Sequence, residues 1–482
     1  MASSTDYAIE GGSRRATASA VTLWLRRIAI GVFIATLAWA PFPLGGAVSW
    51  GAGLQEMLIA ACWMLWLVAN WNYPAALLPK RPALIVPLAL VAAVILWADI
   101  QTLHGLLTAW THPLWQIASD GLGHSVPATI SANPWRTDAE VLKLIGAVAA
   151  AWLAYSMAQR ADTASLLFNA VIAIGAIYAL YGFALLVAGM TQTQLIYGIP
   201  FASTYLTGPF MLHNSFATYA GLATLAAVAK LFDAGREAII VTRGLRQLLL
   251  SAIQFTFGFG VRHVAAVIVL FAAVVASASR GGFAATSAGL TAMAVLMLIV
   301  MARKPGRIWP SLGILAAVAP VFIMIVASGG QLSDRFDQLI DAGNADELRL
   351  ALWSAAEHMI ADAPWRGTGL GTFQDVYPLY ATHIQPYVMD KAHCDYLEFA
   401  AGIGLPGAFA WWSALGVAGY FAIRGAIVRR RNRHFAVAAA GAAVLVAVHS
   451  ATDFSLQMPV VALSYAVLLG IGIAQSQHTA KA

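Results

Sequence analysis

Charged residues are scarce in this sequence, and their scarcity excludes most classes of soluble protein. Only 10% of the 482 residues are Asp, Glu, Lys or Arg, whereas 60% are hydrophobic. A soluble domain typically carries about 25% charged and about 45–50% apolar residues. Glycine, with 41 residues, and proline, with 19, are close to ordinary usage, which excludes collagen-like repeats and disorder. The composition therefore predicts an all-α polytopic membrane protein.

Cysteine and the common catalytic motifs are also sparse. Cys62 and Cys394 allow at most one disulfide, and Cys62 lies within an apolar run, which disfavours a bridge. The sequence contains no HExxH, GxSxG or GxxxxGK[ST] motif, and no Asp-x-Asp pair in the segments expected to face outward. We therefore predict neither a metal site nor a cofactor. Basic residues scatter through short loops without forming one face, so no nucleic-acid partner is expected.

Long apolar runs dominate what remains, and twelve of them are long enough to cross a membrane as helices. These predicted spans cover residues 28–46, 52–70, 83–101, 139–158, 164–189, 214–232, 262–279, 282–301, 311–328, 395–422, 435–452 and 459–476.

Basic residues are unevenly divided between the two sides of this bundle. With the N-terminus placed in the cytoplasm, 21 of the 28 lysines and arginines fall on the inner side, six fall on the outer side, and Lys143 lies within a span. Because cytoplasmic loops carry the excess of positive charge, both termini are predicted to be cytoplasmic. We expect a cytoplasmic tail over 1–25, N-terminal transmembrane helices over 26–200, a second transmembrane region over 201–460 that includes an outer loop at 329–394, and a last helix with a cytoplasmic tail over 461–482.

The outer loop at 329–394 carries nine of the 22 acidic residues, and loops of this length are usually functional or disordered. Part of it has a helical pattern, which predicts an amphipathic helix between residues 346 and 362 on the outer membrane face. The apolar residues at helical spacing are Leu348, Leu352, Ala355 and Met359.

Two arginines on the outer side could bind an anion. Arg280 lies in a Ser-Arg-Gly-Gly turn, where the glycines allow close backbone approach, and Arg349 lies on the amphipathic helix one turn before Trp353. A guanidinium presents a rigid fork that matches phosphate oxygens. Alternatively, Arg280 lies at the membrane interface and reaches lipid headgroups, and Arg349 pairs with an acid of the same loop.

His393 ends the outer loop and is the candidate general base. Histidine ordinarily titrates at about pH 6.5, which suits proton transfer in a neutral compartment. Alternatively, His393 is a capping or packing residue, and Asp395 could serve as a helix N-cap. His213, His449 and Asp453 also lie at predicted outer helix ends, where they could be ordinary interfacial polar residues.

Taken together, these segments resemble the O-antigen ligase and polymerase (Wzy-type) superfamily of bacterial envelope proteins, over about residues 200–460. One position departs from the family pattern, since Cys394 stands where the family commonly has Asn. The residues that carry the resemblance are Ser279-Arg280-Gly281-Gly282, Arg349-x-x-x-Trp353, Pro364, Gly367-x-Gly369-x-Gly371-Thr372-Phe373, Ala392-His393-x-Asp395-Tyr396-Leu397, Gly404-x-Pro406-Gly407 and His449…Asp453-Phe454…Pro459.

The resemblance implies a GT-C-like helical fold in the bacterial inner membrane, with the active site facing the periplasm. It implies a donor glycan linked to undecaprenyl pyrophosphate and an acceptor that is a glycan or lipid A-core. Carried over, Arg280 and Arg349 would bind the pyrophosphate, and His393 would activate or position the acceptor hydroxyl. Supporting roles would fall to Trp353, Asp395, Tyr396, His213, His449 and Asp453.

Three functions stay open at this point. The first is a metal-independent inverting glycosyltransferase that moves a lipid-linked polysaccharide onto lipid A-core, as O-antigen ligases do. The second is a polymerase that extends lipid-linked repeat units, which uses the same donor and differs in the acceptor. The third is a secondary transporter, which would place ionisable residues near mid-membrane and repeat one half of the chain in the other.

Overall fold

The computed structural model describes residues 19–199, 203–239, 260–302, 343–381 and 388–476, with a few isolated positions between 246 and 258. Every regular element within these ranges is a helix. The α-helices, numbered in chain order, are α1 Ala20–Trp39, α2 Ser49–Asn70, α3 Ile85–Ile100, α4 Leu114–Leu122, α5 Pro134–Met157, α6 Ala161–Val187, α7 Gln192–Tyr197, α8 His213–Ile239, α9 Val261–Ala276, α10 Arg280–Ala302, α11 Gly343–Asp362, α12 Phe373–Val376, α13 Asp395–Val428, α14 Arg433–His449 and α15 Pro459–Gln475.

Eight of these helices are long and apolar enough to cross a membrane, and three shorter apolar helices, α9, α14 and α15, accompany them. Together they coincide with eleven of the twelve predicted spans, while the span predicted at 311–328 lies outside the described residues. Helix α1 begins at Ala20, so it takes in the end of the predicted tail over 1–25. The all-helical architecture with several membrane-crossing helices is therefore confirmed for the described residues.

The centre of the bundle is built from helices rich in alanine and glycine. Helix α14 contacts α8, α10, α13 and α15. Gly289 on α10 faces α14 so closely that a Cβ atom added to it would lie 2.9 Å from the carbonyl oxygen of Gly441. Small residues allow helix backbones to approach in this way within a membrane. The arrangement packs α14 tightly enough to hold its last residue, His449, in a defined place.

Helix α13 is broken at Gly404, where the backbone takes a φ of 75° and a ψ of 165°. Before the break, Phe399 stacks on Trp411 from the segment after it, with ring centroids 5.4 Å apart. The backbone freed at the break is paired, since the N–H of Gly369 donates to the carbonyl of Gly402 at 2.9 Å. Irregular backbone at membrane depth is tolerated where protein covers it in this manner.

Helix α11 confirms the helix predicted between residues 346 and 362, but the expectation that it lies on the membrane face is wrong for its apolar side, which is covered by protein. Trp353 extends from this helix to the segment that precedes α13, where its Nε1–H donates to the carbonyl of His393 at 3.3 Å. The apolar residues of α11 pack in a buried cluster with Phe373 and Ala392. Helix α11 is therefore attached through its apolar face to the end of the bundle at which α13 begins. The fully buried residues of that face are Leu352, Ala355 and Met359.

Candidate active site

Four helix ends meet at one end of the bundle, and most of the predicted site residues lie there. Helices α8, α10 and α13 begin in this region, and α14 ends in it. The hydroxyl of Thr218 on α8 lies 3.3 Å from Nδ1 of His449, and the N–H of Asp395 donates to the carbonyl of Ser450 at 2.9 Å. These contacts join segments that are separated by 55 to 231 residues in the chain.

His393 and Asp453 form a pair at this end. Nδ1 of His393 lies 3.2 Å from Oδ1 of Asp453. The aspartate side chain is 3% exposed, while that of His393 is 30% exposed. The ring of His393 also packs edge-on against Phe454, with centroids 4.9 Å apart. The imidazole is therefore held by Asp453 and by Phe454, and the rest of the ring is partly exposed.

The carboxylate of Asp453 determines which ring nitrogen of His393 carries the proton. Burial by itself would raise the pKa of Asp453, but the hydrogen bond from His393, the nearby imidazoles and the N–H of Phe454 hold it below its ordinary value. An ionised carboxylate only accepts hydrogen bonds, so Nδ1 of His393 is the donor. Nε2, which has no partner among the described residues, is then free to accept a proton.

The backbone of His393 is constrained as well, with a φ of 52°, in the left-handed region that non-glycine residues adopt rarely. Its carbonyl accepts the hydrogen bond from Trp353. Such conformations persist only where surrounding contacts determine them, and they are concentrated at functional sites.

Asp395, the first residue of α13, is joined by hydrogen bonds to the turn between α14 and α15. Its carboxylate accepts hydrogen bonds from the hydroxyl of Ser450 at 2.8 Å and from Nε2 of Gln457 at 2.9 Å. The N-cap of α13 is Cys394, so the alternative of Asp395 as an N-cap is replaced by this pair of contacts. The side chain is fully buried, which makes Asp395 a positioning residue.

Lys391 and Glu398 hold the other side of the His393 segment. Nζ of Lys391 lies 3.2 Å from Oε1 of Glu398, whose Oε2 accepts the N–H of Ala392 at 2.8 Å. Burial by itself would lower the pKa of Lys391, but the charges of Glu398 and Glu140 raise it above its ordinary value. No sequence motif singled out this pair, although a lysine two residues before the histidine and a glutamate five residues after it are visible in the sequence.

Arg349 lies close enough to act electrostatically on both His213 and His449. Within the described residues no carboxylate forms an ion pair with Arg349, although pairing with an acid of its own loop was one expectation. Arg280 is the exposed first residue of α10, and Ser279 caps that helix by accepting the N–H of Gly282 at 3.0 Å. Both arginines therefore belong to the end of the bundle that holds His393.

His213 and His449 complete this end of the bundle. Nδ1 of His213 lies 2.8 Å from the carbonyl of Ser277, and its ring lies on Tyr205. His449 is almost fully buried, and its Nε2 has no hydrogen-bond partner among the described residues. A Cβ atom added to Gly281 would lie 3.5 Å from that nitrogen, so His449 faces the start of α10.

Tyr396, a predicted supporting residue, and Cys394, the departure from the family pattern, do not join the polar contacts of His393. The hydroxyl of Tyr396 donates to the carbonyl of Ala447 at 2.9 Å, and its ring packs on Trp412. Cys394 is a buried free thiol whose pKa is raised by burial, so it stays protonated. Among the described residues, no group of three His, Cys, Asp or Glu side chains is arranged to hold a metal ion.

A comparison with known protein families matches the part of the chain that contains several of these residues. Residues 265–412 match a family model described as O-antigen ligase (Wzy_C), and this stretch begins in α9 and ends in α13. It includes Arg280, Arg349 and His393. No curated protein matches the chain. Residues 265–412 are therefore similar to the O-antigen ligase family, as the motifs in this stretch indicated.

Proposed function

We propose that this protein is a metal-independent inverting glycosyltransferase that acts at the periplasmic face of the inner membrane. It transfers a glycan from undecaprenyl pyrophosphate to a hydroxyl group of lipid A-core. The observation that carries this proposal is the His393–Asp453 pair, whose open Nε2 lies at the same end of the bundle as Arg280 and Arg349. A base and a group of fixed cations are the two elements that this transfer requires.

His393 acts as the general base. With Nδ1–H held by Asp453, Nε2 takes the proton of the acceptor hydroxyl as its oxygen attacks the anomeric carbon of the donor. The new bond joins that oxygen to the sugar, and the bond between the sugar and the diphosphate breaks. Attack from the side opposite the leaving group inverts the configuration at the anomeric carbon. The buried carboxylate of Asp453 stabilises the imidazolium that forms.

Arg280 and Arg349 stabilise the leaving group. Negative charge develops on the diphosphate as its bond to the sugar breaks, and preorganised cations are effective where such charge appears. Each guanidinium can bind phosphate oxygens in a bidentate manner. Trp353 and Arg349 lie one turn apart on α11, so the hydrogen bond from Trp353 to His393 couples the position of one arginine to the base.

The envelope glycans of a strain that lacks this protein test the proposal. Complementation with the wild-type protein should restore the lipopolysaccharide ladder, and complementation with His393→Ala should leave long glycan on its lipid carrier. His358→Ala is the matched control, because this exposed histidine bonds only its own helix, at Ser354. Restoration by His393→Ala would contradict the proposed chemistry. Accumulation of single repeat units instead would indicate the polymerase reaction.

A further inference from the structure

A cavity lies between α2, α5, α13 and α15, with an empty volume of about 920 Å³ that includes the space at its open side. Along α5 it is lined from Glu140 to Ala151, and along α15 from Pro459 to Leu469. At about 1.5 Å per helical residue, the cavity is about 15 Å long. We call it the slot.

The slot is polar at the end near His393 and apolar at the other. Glu140, Gln55 and Gln457 line the first end, and the amide of Gln55 donates to the carbonyl of Pro459, at the start of α15. The far end is lined by small and apolar side chains, among them Ala151 and Leu469. A space with this polarity and length suits a hydrocarbon chain that carries a polar head at one end.

The cations of the slot already have anionic partners. Nζ of Lys143 lies 2.7 Å from Oε1 of Glu140, and Lys391, next to the polar end, pairs with Glu398. A diphosphate would therefore find no available cation among the described residues that line the slot.

Unpartnered polar atoms of the slot fit hydroxyl groups instead. Oε1 of Gln55 and Nε1 of Trp411 are buried without a hydrogen-bond partner among the described residues, and both side chains are more than nine-tenths buried. Oε2 of Glu56 is also buried without a partner. Buried polar groups normally have partners. One acceptor amide, one carboxylate and one donor indole match the mixed donors and acceptors of a sugar.

The slot and the two arginines lie near His393 but belong to different helices. Glu398 and Gln457 line the slot, and they also bind Lys391 and Asp395, which flank the histidine. The two arginines belong to α10 and α11. A transferase must bring two substrates to the reacting atoms from different directions, and the base must lie beside the acceptor.

We propose that the slot binds the hydrocarbon chain of a lipid-anchored acceptor, whose sugar hydroxyls lie at Gln55, Glu56 and Trp411. The donor diphosphate then lies at Arg280 and Arg349, on the other side of His393. This proposal rests on the proposed glycosyl transfer, and it identifies the acceptor as a glycolipid that is recognised through its chain as well as through its sugar.

Slot-filling variants test the proposal. Ala147→Phe and Ala462→Phe place a ring in the slot from α5 and from α15. Ala60→Phe is the matched control, because Ala60 lies on the exposed face of α2. In purified protein with lipid-linked donor, the slot variants should raise the KM for lipid A-core at least about tenfold. The added ring excludes part of the acyl chain from the slot, and each methylene that is no longer buried weakens binding. The KM for the donor should not change.

A second acceptor keeps the test independent of folding. The core oligosaccharide without its acyl chains should be used equally by wild type and by the slot variants. A fall in that reaction would mean that the slot supports the fold, and a higher KM for the donor would place the donor chain in the slot. Either result, or an unchanged KM for lipid A-core, overturns the proposal. A wild-type protein that transfers to neither acceptor would contradict the proposed function itself.

Discussion

Oδ1 of Asp453 lies 3.2 Å from Nδ1 of His393, and the same oxygen accepts the N–H of Phe454 at 2.8 Å. One buried carboxylate oxygen therefore holds both the imidazole and the turn from which the carboxylate extends. The pair joins the start of α13 to the turn between α14 and α15. This geometry makes the tautomer and the orientation of His393 dependent on a residue that sequence reasoning placed only among the supporting positions.

Replacing Asp453 with Asn should lower kcat by about 10²–10⁴-fold, because an amide can fix the wrong tautomer and cannot stabilise the imidazolium. Transfer to lipid A-core in detergent-solubilised protein measures the effect. Asp162→Asn is the control, since the Asp162 side chain is 91% exposed. A variant with unchanged kcat would contradict the base assigned to His393.

The low pKa of Asp453 predicts how stability depends on pH. Because the pKa is lower in the folded state than the ordinary value of 3.8, ionised Asp453 contributes stability above pH 3.8. That contribution is lost as the pH falls through the folded-state pKa. Thermal unfolding of wild type and Asp453→Asn should therefore differ most at neutral pH and converge in acid. A difference that widens in acid would contradict the ionised state of this carboxyl group.

Breaking the Lys391–Glu398 pair should destabilise the protein. Lys391→Met leaves the buried carboxylate of Glu398 without its cation, which costs about 3–5 kcal/mol in comparable buried pairs. The double variant Lys391→Met/Glu398→Gln removes both charges and should recover much of that loss. Denaturant unfolding in detergent measures both. Equal losses in the single and double variants would show that the pair is not coupled.

Arg280→Ala and Arg349→Ala should each abolish measurable transfer while the protein still inserts in the membrane. Arg349→Lys should restore only part of the activity, because an ammonium cannot bind two phosphate oxygens as a guanidinium does. Arg366→Ala is the control from the same predicted outer loop. Membrane fractionation checks insertion, and retained activity in both alanine variants would contradict the pyrophosphate site.

The grouping of most candidate site residues at one end of the bundle could be predicted because their motifs are local. The Ser-Arg-Gly-Gly turn, the arginine before Trp353 and the His393 segment are each continuous in the chain, and all three lie at one end of the bundle. The partners of these residues could not be predicted. Lys391 and Glu398 lie within the same segment, but only the fold shows that both brace His393.

Hydropathy and charge by themselves determined the helical class and the eight apolar helices long enough to cross a membrane, because burial in lipid acts on each apolar run separately. The spacing of apolar residues determined helix α11. Tertiary structure decided the rest. The His393–Asp453 pair, the fold of α13 at Gly404 and the slot between four helices each depend on contacts between segments that are distant in the chain. Such contacts depend on how helix faces pack, and hydropathy does not encode which face meets which.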